Sequence, residues 1–334
     1  MKRLLSVVAI GVVSMVASAA PAGAADKENF DAAKYFSGKT IRVIVGFAAG
    51  GGTDVLARVL AQKLSVLWGT QVLVENKPGA TGVIAADFVS KQPPDGTTLL
   101  MAHVNSNAIA PALMTNVKYD PRRDFSPIVM VGVTPNVLTC VDTQKVRTVP
   151  EIVELCRSRP GQVSFGSSGI GSAQHLALEM FMLATQVKAT HVPYKGSSAL
   201  LVDLMGGQID FAFDTMTAAT PFIKQGKVTA IAQTRIKRAR SYPNVPTLAE
   251  SGCPGLDAAS WYGLVGPKGL PAEMVQRMNQ DVNKVLALPE IAAKLDEFGA
   301  EDAGGSSEKF GAYIQAECTK WAKVVKDANV RVEA

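Results

Sequence analysis

Residues 41–54 read Ile-Arg-Val-Ile-Val-Gly-Phe-Ala-Ala-Gly-Gly-Gly-Thr-Asp, and this stretch decides the fold. The apolar run Ile41–Phe47 predicts a strand, and after three glycines a helix is predicted to begin at Thr53 or Asp54. Such a turn aims free backbone N–H groups and the positive end of a helix dipole at one point, which suits an anion. The stretch therefore predicts an α/β unit with an anion site at its turn.

A related turn lies in the second half of the chain. Residues 163–172 read Val-Ser-Phe-Gly-Ser-Ser-Gly-Ile-Gly-Ser, again between an apolar strand and an amphipathic helix. Ser172 is a good N-cap, but capping accounts for a single serine and leaves the other serines and the glycines for a ligand. Two such turns predict two α/β lobes that hold a carboxylate between them.

The rest of the sequence alternates strands with helices, which predicts a mostly parallel sheet. The extended segments Phe125–Val141 and Ala259–Val265 are predicted to cross between the lobes. We therefore expect one lobe from residues 25–131 and 256–334 and the other from residues 132–255, with the ligand cleft between them. The predicted strands are Ile41–Phe47, Gln71–Val74, Thr98–Ala102, Gln162–Gly166, Thr190–Pro193, Ile209–Phe213 and Val228–Gln233, and the predicted helices are Asp54–Trp68, Thr81–Lys91, Ser172–Leu183, Ser198–Gly206, Pro271–Leu288 and Glu308–Asp327.

The first 24 residues predict export. Lys2 and Arg3 precede the apolar run Leu4–Val16, and Ala22-Gly23-Ala24 is a small-residue cleavage site, so the three parts of a signal peptide are present in order. The apolar run is shorter than the ~20 residues that span a bilayer. We therefore expect cleavage near Ala24 and a mature protein in the periplasm.

The composition is that of a globular protein. The chain has 334 residues, 47% hydrophobic and 19% charged, which is enough for two domains of ~150 residues each. The formal net charge of +5 is spread along the chain. The densest basic cluster, Arg235–Arg240, is interpreted as a solvated connector, so the sequence argues against a nucleic-acid partner and is compatible with an acidic ligand.

The four cysteines of an exported chain can pair in three ways. We expect Cys140–Cys156 and Cys253–Cys318, with buried free thiols as the alternative. None of the cysteines is spaced as C-x-x-C and the chain has 3 histidines, which argues against a zinc site. We therefore expect no bound metal.

The first glycine-rich turn also has features of a dinucleotide site. Gly50-x-Gly52 follows a strand, and Glu75 ends the next predicted strand, where a dinucleotide fold places its ribose-binding acid. Val55 stands at the position of the third glycine, however, and nicotinamide cofactors are scarce outside the cytoplasm. We therefore favour anion binding, keep a tight turn without ligand as the alternative, and expect no cofactor.

The sequence contains no established catalytic motif. The run 166–170, Gly-Ser-Ser-Gly-Ile, has its second glycine misplaced for a G-x-S-x-G nucleophile elbow, and neither a Walker loop nor H-E-x-x-H occurs. We therefore expect a binding protein and not an enzyme. An exported hydrolase that uses Ser168 and His175 is the enzymatic alternative, although no acid partner is evident for that pair.

Asp214 and His103 are the side chains that follow predicted strands at the cleft. In a parallel sheet the carboxyl ends of the strands face the crevice, so Asp214 is placed to receive a ligand ammonium or hydroxyl group. Its alternative role is to cap the helix that leads to Lys224. His103 either contacts the ligand or packs within its loop, whereas His175 is expected to support the second turn and His191 to be structural.

The motifs together resemble the Bug-type extracytoplasmic solute receptors of tripartite tricarboxylate transporters. The resemblance covers nearly the whole mature chain in family order, and the combination is highly specific. The matching segments are 47–54, Val74-Glu75-Asn76-Lys77-Pro78-Gly79-Ala80, Pro94-Asp95-Gly96-Thr97-Thr98-Leu99-Leu100, Ser167-Ser168-Gly169, His191-Val192-Pro193-Tyr194-Lys195-Gly196, 207–214, 243–252 and 261–267.

This resemblance implies a two-lobed periplasmic binding protein, type II-like, with two crossover strands and a central cleft that closes on a small carboxylate. The ligand would be a dicarboxylate, an amino acid or an aromatic acid, held partly through water. It also implies membrane transporter subunits as partners, and we expect the receptor to act as a monomer. Carried over by position, the ligand-binding residues are Ala49, Gly50 and Thr53 of the first turn, Ser167, Gly169 and Ser172 of the second, Asp214 at the distal end of the ligand, and His103 and Asn105 nearby.

The chain departs from the family pattern at Ile170 and in the run 103–106, which belong to the part expected to choose the ligand. A receptor of another class remains the alternative: a sensor subunit whose closed form presents the bound anion to a signalling partner. The sequence leaves open which carboxylate binds and which membrane protein is the partner.

Overall fold

The computed structural model describes residues 30–141, 145–327 and 330, and the predicted signal peptide lies outside them. The described part of the chain contains ten strands in two sheets. The strands are β1 (Thr40–Val45), β2 (Gln71–Asn76), β3 (Thr98–His103), β4 (Phe125–Thr134), β5 (Asn136–Val141), β6 (Ser164–Ser167), β7 (Thr190–Pro193), β8 (Phe211–Thr215), β9 (Val228–Gln233) and β10 (Ser260–Pro267).

Helices cover both sheets, as the alternating pattern predicts. Within the described residues they are α1 (Ala32–Phe36), α2 (Gly52–Trp68), α3 (Val83–Ser90), α4 (Ala110–Leu113), α5 (Val149–Ser158), α6 (Ala173–Thr185), α7 (Ser197–Met205), α8 (Met216–Lys224), α9 (Ala272–Leu286), α10 (Pro289–Glu297) and α11 (Ser307–Asp327). None of these described helices is long and apolar enough to cross a lipid bilayer.

Each sheet forms the centre of one lobe. The first sheet has the strand order β2-β1-β3-β10-β4, in which β1, β2 and β3 are parallel and β10 is antiparallel to both of its neighbours. The second has the order β7-β6-β8-β5-β9, with β5 antiparallel to β8 and β9. The fold is therefore α/β with two lobes. Its sheets are mixed because one strand in each, β10 in the first and β5 in the second, runs against the others.

The chain crosses between the sheets at Pro135. The sequence predicts one extended segment over 125–141, whereas the structure divides it into β4 of the first sheet and β5 of the second. Proline lacks the N–H that continues a ladder, which explains the break at this position. The chain returns to the first sheet through β10, close to the predicted segment Ala259–Val265. The lobe boundaries predicted from sequence stay a prediction.

The helix predicted over Thr81–Lys91 begins later than expected. Residues Ala80 and Thr81 have φ angles of +45° and +52°, and Gly79 and Gly82 also lie in the left-handed region. A left-handed run is incompatible with a right-handed α-helix, so α3 starts only at Val83. A non-glycine residue with a left-handed backbone costs about 1–3 kcal/mol of folding free energy, and such residues are concentrated at binding and active sites.

Both predicted disulfides are wrong. Cys156, Cys253 and Cys318 are free thiols, so neither the Cys140–Cys156 nor the Cys253–Cys318 pair forms. All four cysteines are buried in apolar surroundings, and Cys318 Sγ donates a hydrogen bond to the carbonyl oxygen of Asn107 at 3.3 Å. The cysteines therefore serve as small core residues, which was the alternative.

Close packing between β10 and α11 gives a stability test. A Cβ at Gly263 would overlap the buried ring of Phe310, whereas a Cβ at Gly311 within α11 would lie 3.4 Å from Pro127 Cγ. We expect Gly263→Ala to lower the free energy of unfolding by about 1–3 kcal/mol through overpacking. Gly311→Ala is the control and should raise it by about 0.5–1 kcal/mol, because alanine favours helix. Urea unfolding measures both, and equal effects of the two substitutions would contradict this packing.

Candidate functional site

The two lobes close on each other through their loops. Ser198 Oγ of the second lobe donates a hydrogen bond to the carbonyl oxygen of Ala49 in the first lobe at 2.8 Å. Asn105 Oδ1 accepts the N–H of Ala173, the first residue of α6, at 2.9 Å. A Cβ at Gly52 would come within 2.8 Å of Thr215 Oγ1, so glycine permits this close approach of the lobes.

A cavity of about 400 Å³, here called the outer chamber, lies between the lobes. Its lining comes from segments that follow β1, β2, α4 and β6 and from the end of β7. The lining residues are Gly46, Phe47, Gly79, Ala80, Thr81, Met114, Thr115 and Asn116 on the first lobe and Ser168, Gly169, Ile170, Pro193, Tyr194 and Lys195 on the second.

A second, much smaller cavity, here called the inner void, adjoins the outer chamber. Phe47 and Ser168 line both cavities, and the inner void has a volume of about 20 Å³, which is room for about one water molecule. Its other lining residues are Gly51, Gly52, Thr53 and His103 of the first lobe and Gln174, Ser197 and Thr215 of the second. Most of these residues carry polar groups, so the inner void suits a bound water and not an apolar group.

In the first glycine-rich turn, a carboxylate of the protein takes one of the backbone N–H groups that were predicted to bind an anion. Asp54 Oδ2 accepts the Gly50 N–H at 2.9 Å and Arg58 Nε at 2.9 Å, and Asn76 Nδ2 donates to Asp54 Oδ1. Burial opposes ionisation of Asp54, but these hydrogen bonds outweigh it and hold its pKa below the usual value. The predicted donation from Gly50 to a ligand is therefore replaced by a bond to this carboxylate.

His103 is a neutral side chain on the wall of the inner void. Burial lowers its pKa to about 3. Its Nδ1 accepts the Asn105 N–H at 3.2 Å, which assigns the proton to Nε2, and its ring packs between Phe47 and Tyr262. His103 can therefore donate a hydrogen bond but contributes no positive charge.

The serines of the second turn have separate tasks. Ser167 Oγ shares a hydrogen bond with His191 Nε2 at 2.6 Å, and Ser172 Oγ caps α6 by accepting the His175 N–H. Both are buried and line neither cavity. Ser168 donates to Gln174 Oε1 at 2.8 Å and faces both cavities.

The hydrolase alternative gains no support from this turn. His175 Nδ1 accepts the Gly171 N–H at 3.1 Å, and its Nε2 lies 3.3 Å from Glu179, while the Ser168 hydroxyl points to Gln174. His175 thus supports the turn, as expected.

The ring of His191 stacks on that of His175 with centroids 4.0 Å apart, and burial together with His175 lowers the pKa of His191 to about 3.

Asp214 is fully buried behind the inner void. Its Oδ1 accepts Ser197 Oγ at 2.5 Å and the Thr215 N–H at 2.7 Å, and Ser197 and Thr215 line the void. Its Oδ2 has no hydrogen-bond partner among the described residues. Burial raises the pKa of Asp214 to about 7 against the lowering effect of these hydrogen bonds. The helix-capping alternative is wrong for Asp214, because Thr215 Oγ1 caps α8.

The structure brings three of the nine predicted site residues to the cavities. Thr53 and His103 line the inner void and Gly169 lines the outer chamber. Ala49, Gly50, Asn105, Ser167, Ser172 and Asp214 lie in the surrounding shell and line neither cavity. The lining segments 79–81, 114–116 and 193–195 were not among the predicted site residues, although the run Pro78-Gly79-Ala80-Thr81-Gly82 is a turn signal that predicts a loop there.

A larger cavity of about 670 Å³ lies between β4 and α11. Its basic groups are mostly paired with its acids: Arg235 contacts Asp302 at 3.3 Å and Lys320 contacts Asp257 at 3.3 Å. The cleft between the lobes is therefore the better candidate site for an anion. Among the described residues, no group of three or more acids, histidines or cysteines is arranged to hold a metal ion.

The sequence is similar to those of solute receptors. Residues 56–330 match the family TctC, described as "Tripartite tricarboxylate transporter family receptor". Protein BugT of Bordetella pertussis is 33% identical over 334 residues, which cover 100% of this chain and 99% of BugT.

Solved structures agree with the sequence match. "R. palustris Rpa4515 with adipate" has a TM-score of 0.84 and 35% identity, and the match covers 87% of this chain and 98% of that one. MatC from Rhodopseudomonas palustris with bound malate has a TM-score of 0.81 and 29% identity, with 86% and 98% covered.

The buried Asp214 carboxyl predicts a pH-dependent stability. Because its pKa is raised in the folded state, the folded protein holds this proton between about pH 4 and pH 7 and the unfolded chain does not, so stability falls as pH rises through this window. We expect Asp214→Asn to remove that part of the decline and to stabilise the protein at pH 8 by about 1–3 kcal/mol. Thermal unfolding from pH 4 to pH 8 measures this effect, and an unchanged pH profile would contradict the assignment.

Proposed function

Because the chain belongs to the family of tripartite tricarboxylate transporter receptors, we propose that it binds a small organic carboxylate and delivers it to a membrane transporter of that type. Binding takes place in the outer chamber, without a chemical reaction, and the receptor acts in the periplasm. The observation that carries the proposal is a chamber formed by loops of both lobes in which, among the described lining residues, Lys195 alone is charged. The adipate and malate bound to two similar proteins support an organic acid as the ligand.

The carboxylate is held by charge and by hydrogen bonds from both lobes. Lys195 is exposed in the second lobe and supplies the positive charge, and the Ser168 hydroxyl lies where the two cavities meet. His103, Gly52 and Thr53 line the inner void, and we propose that a water there bridges the ligand to the His103 Nε2–H and to the first turn of α2. Charge-assisted hydrogen bonds of this kind are stronger than neutral ones.

Five of the predicted site residues that line neither cavity hold the surrounding loops in place. Ala49 and Asn105 take part in the hydrogen bonds that join the closed lobes. Ser167 and Ser172 fix the second turn, and Asp214 orients Ser197 at the inner void. The ligand therefore contacts few of these side chains directly but depends on all of them for the shape of the cleft.

Replacing Gly169 tests this site. A Cβ at Gly169 would lie 3.1 Å from Thr81 Cγ2 and 3.3 Å from the Tyr194 carbonyl oxygen, so a leucine side chain there would fill the outer chamber. For the wild-type protein, adipate at 100 times its Kd should stabilise the fold by about 2.7 kcal/mol. We expect Gly169→Leu to remove this thermal shift.

The matched control is Gly161→Leu. Gly161 also has a positive φ, +74°, but no atom of another residue lies within 4 Å of a Cβ there. This variant also places a leucine at a positive-φ glycine, away from the chamber, and should keep the adipate-induced shift. Full adipate binding by Gly169→Leu would contradict the proposed site.

A further inference from the structure

We infer that the outer chamber selects organic acids with an apolar body, an aromatic ring or a chain of about six carbons, over small hydroxylated or amino acids. The inference rests on the proposed function, because it names the class of acid that the same cleft takes. It is carried by the exposure, charge and hydrogen bonding of the residues that line the chamber.

Ile170 presents an apolar side chain to the chamber. It is 45% exposed, although large apolar side chains are usually buried, and it lines the outer chamber together with Met114 and Tyr194. Gly169 and Gly171 flank it with φ angles of +134° and +75°, and a Cβ at Gly171 would lie 2.5 Å from Leu113 Cδ2 of the first lobe. The two glycines therefore let the loop pass close to the first lobe and hold Ile170 at the chamber wall.

The polar side chains of the chamber are partly satisfied by the protein. The Thr81 hydroxyl donates to the Ala80 carbonyl oxygen at 2.7 Å, and the Ser168 hydroxyl donates to Gln174 Oε1. Thr81 and Ser168 can therefore accept a hydrogen bond from a ligand hydroxyl, but they can donate to the ligand only by giving up their present acceptors. A hydroxylated ligand thus replaces only part of its hydrogen bonds to water on entry. Transfer of a hydroxyl group from water without a replacement hydrogen bond is unfavourable.

The charges of the chamber disfavour amino acids. Lys195 is positive, and none of the described residues that line the chamber is acidic. Asp214, a buried acid of the second lobe, accepts hydrogen bonds from Ser197 and Thr215 and lines neither cavity. A ligand ammonium group therefore enters a chamber that contains a like charge and no counter-charge.

Comparing the affinities of two acids of equal charge separates the contribution of the apolar body from that of the carboxylates. Adipate is compared with malate, and benzoate with lactate, by isothermal titration of the full-length protein freed of bound ligand. Each buried methylene contributes about 0.8 kcal/mol, so we expect adipate and benzoate to bind at least about tenfold more tightly than their partners. Aspartate should bind more weakly than adipate.

Ile170→Ser tests the assigned wall. We expect it to weaken adipate and benzoate binding about tenfold and to leave malate binding within about threefold, since the lost contact is apolar. Ile236→Ser is the matched control, because Ile236 is 50% exposed and lines neither the chamber nor the inner void. Lys195→Gln should weaken the binding of all four acids by a similar factor, because it removes the positive charge that attracts the carboxylate present in each of them.

The outcomes separate the two proposals. Tighter binding of malate or aspartate than of adipate, or an unchanged adipate affinity in Ile170→Ser, would overturn the selectivity and leave the receptor function standing. Absence of binding for every acid, with intact folding, would overturn both.

Discussion

The buried amide of Asn136 ties the two crossings of the chain to each other and to the ligand cleft. Its Nδ2 donates to the Ala258 carbonyl oxygen at 2.5 Å, and its Oδ1 accepts hydrogen bonds from Ser260 Oγ and Gln174 Nε2. Gln174 in turn accepts the Ser168 hydroxyl, which faces both cavities. A buried amide left without a partner costs about 1–3 kcal/mol, so this network favours a single arrangement of hinge and cleft.

The hydrogen bonds from Ser168 through Gln174 to Asn136 couple the ligand cleft to the crossing strands. A ligand that contacts Ser168 is two hydrogen bonds away from Asn136, at the start of β5 just after the chain leaves the first sheet. If the bound carboxylate takes the Ser168 proton, Gln174 Oε1 loses this donor, while Gln174 Nε2 is the group that donates to Asn136. Closure of two lobes about such a hinge is a common response to ligand in binding proteins.

The sequence predicted the architecture well because its signals are local. The apolar run of β1 and the glycines after it predicted the first strand–turn–helix unit. Helix α2 was confirmed, with its N-terminus two residues earlier than the predicted Asp54. The break at Pro135 was missed because an extended segment can change sheets without changing its backbone pattern. The disulfides were predicted wrongly because a buried thiol and a paired cysteine look alike in sequence.

The candidate site was harder to predict because it depends on contacts between distant segments. Helix dipoles and glycines predicted an anion at Gly50, but the structure shows that Asp54 of the same turn already takes that N–H group. Asp214 was predicted to follow a strand that ends at Phe213, but it lies within β8, and Ser197 and Thr215 stand between it and the cavity. Lys195 and Ile170 line the chamber from loops whose positions depend on how the two lobes meet.

The most direct measurement is a crystal structure of the protein soaked with adipate at a concentration that saturates binding in solution. We expect density for the acid in the outer chamber, with a carboxylate near Lys195 and Ser168 and its carbon chain against Ile170. Density for the acid in the cavity between β4 and α11, with an empty cleft, would contradict it.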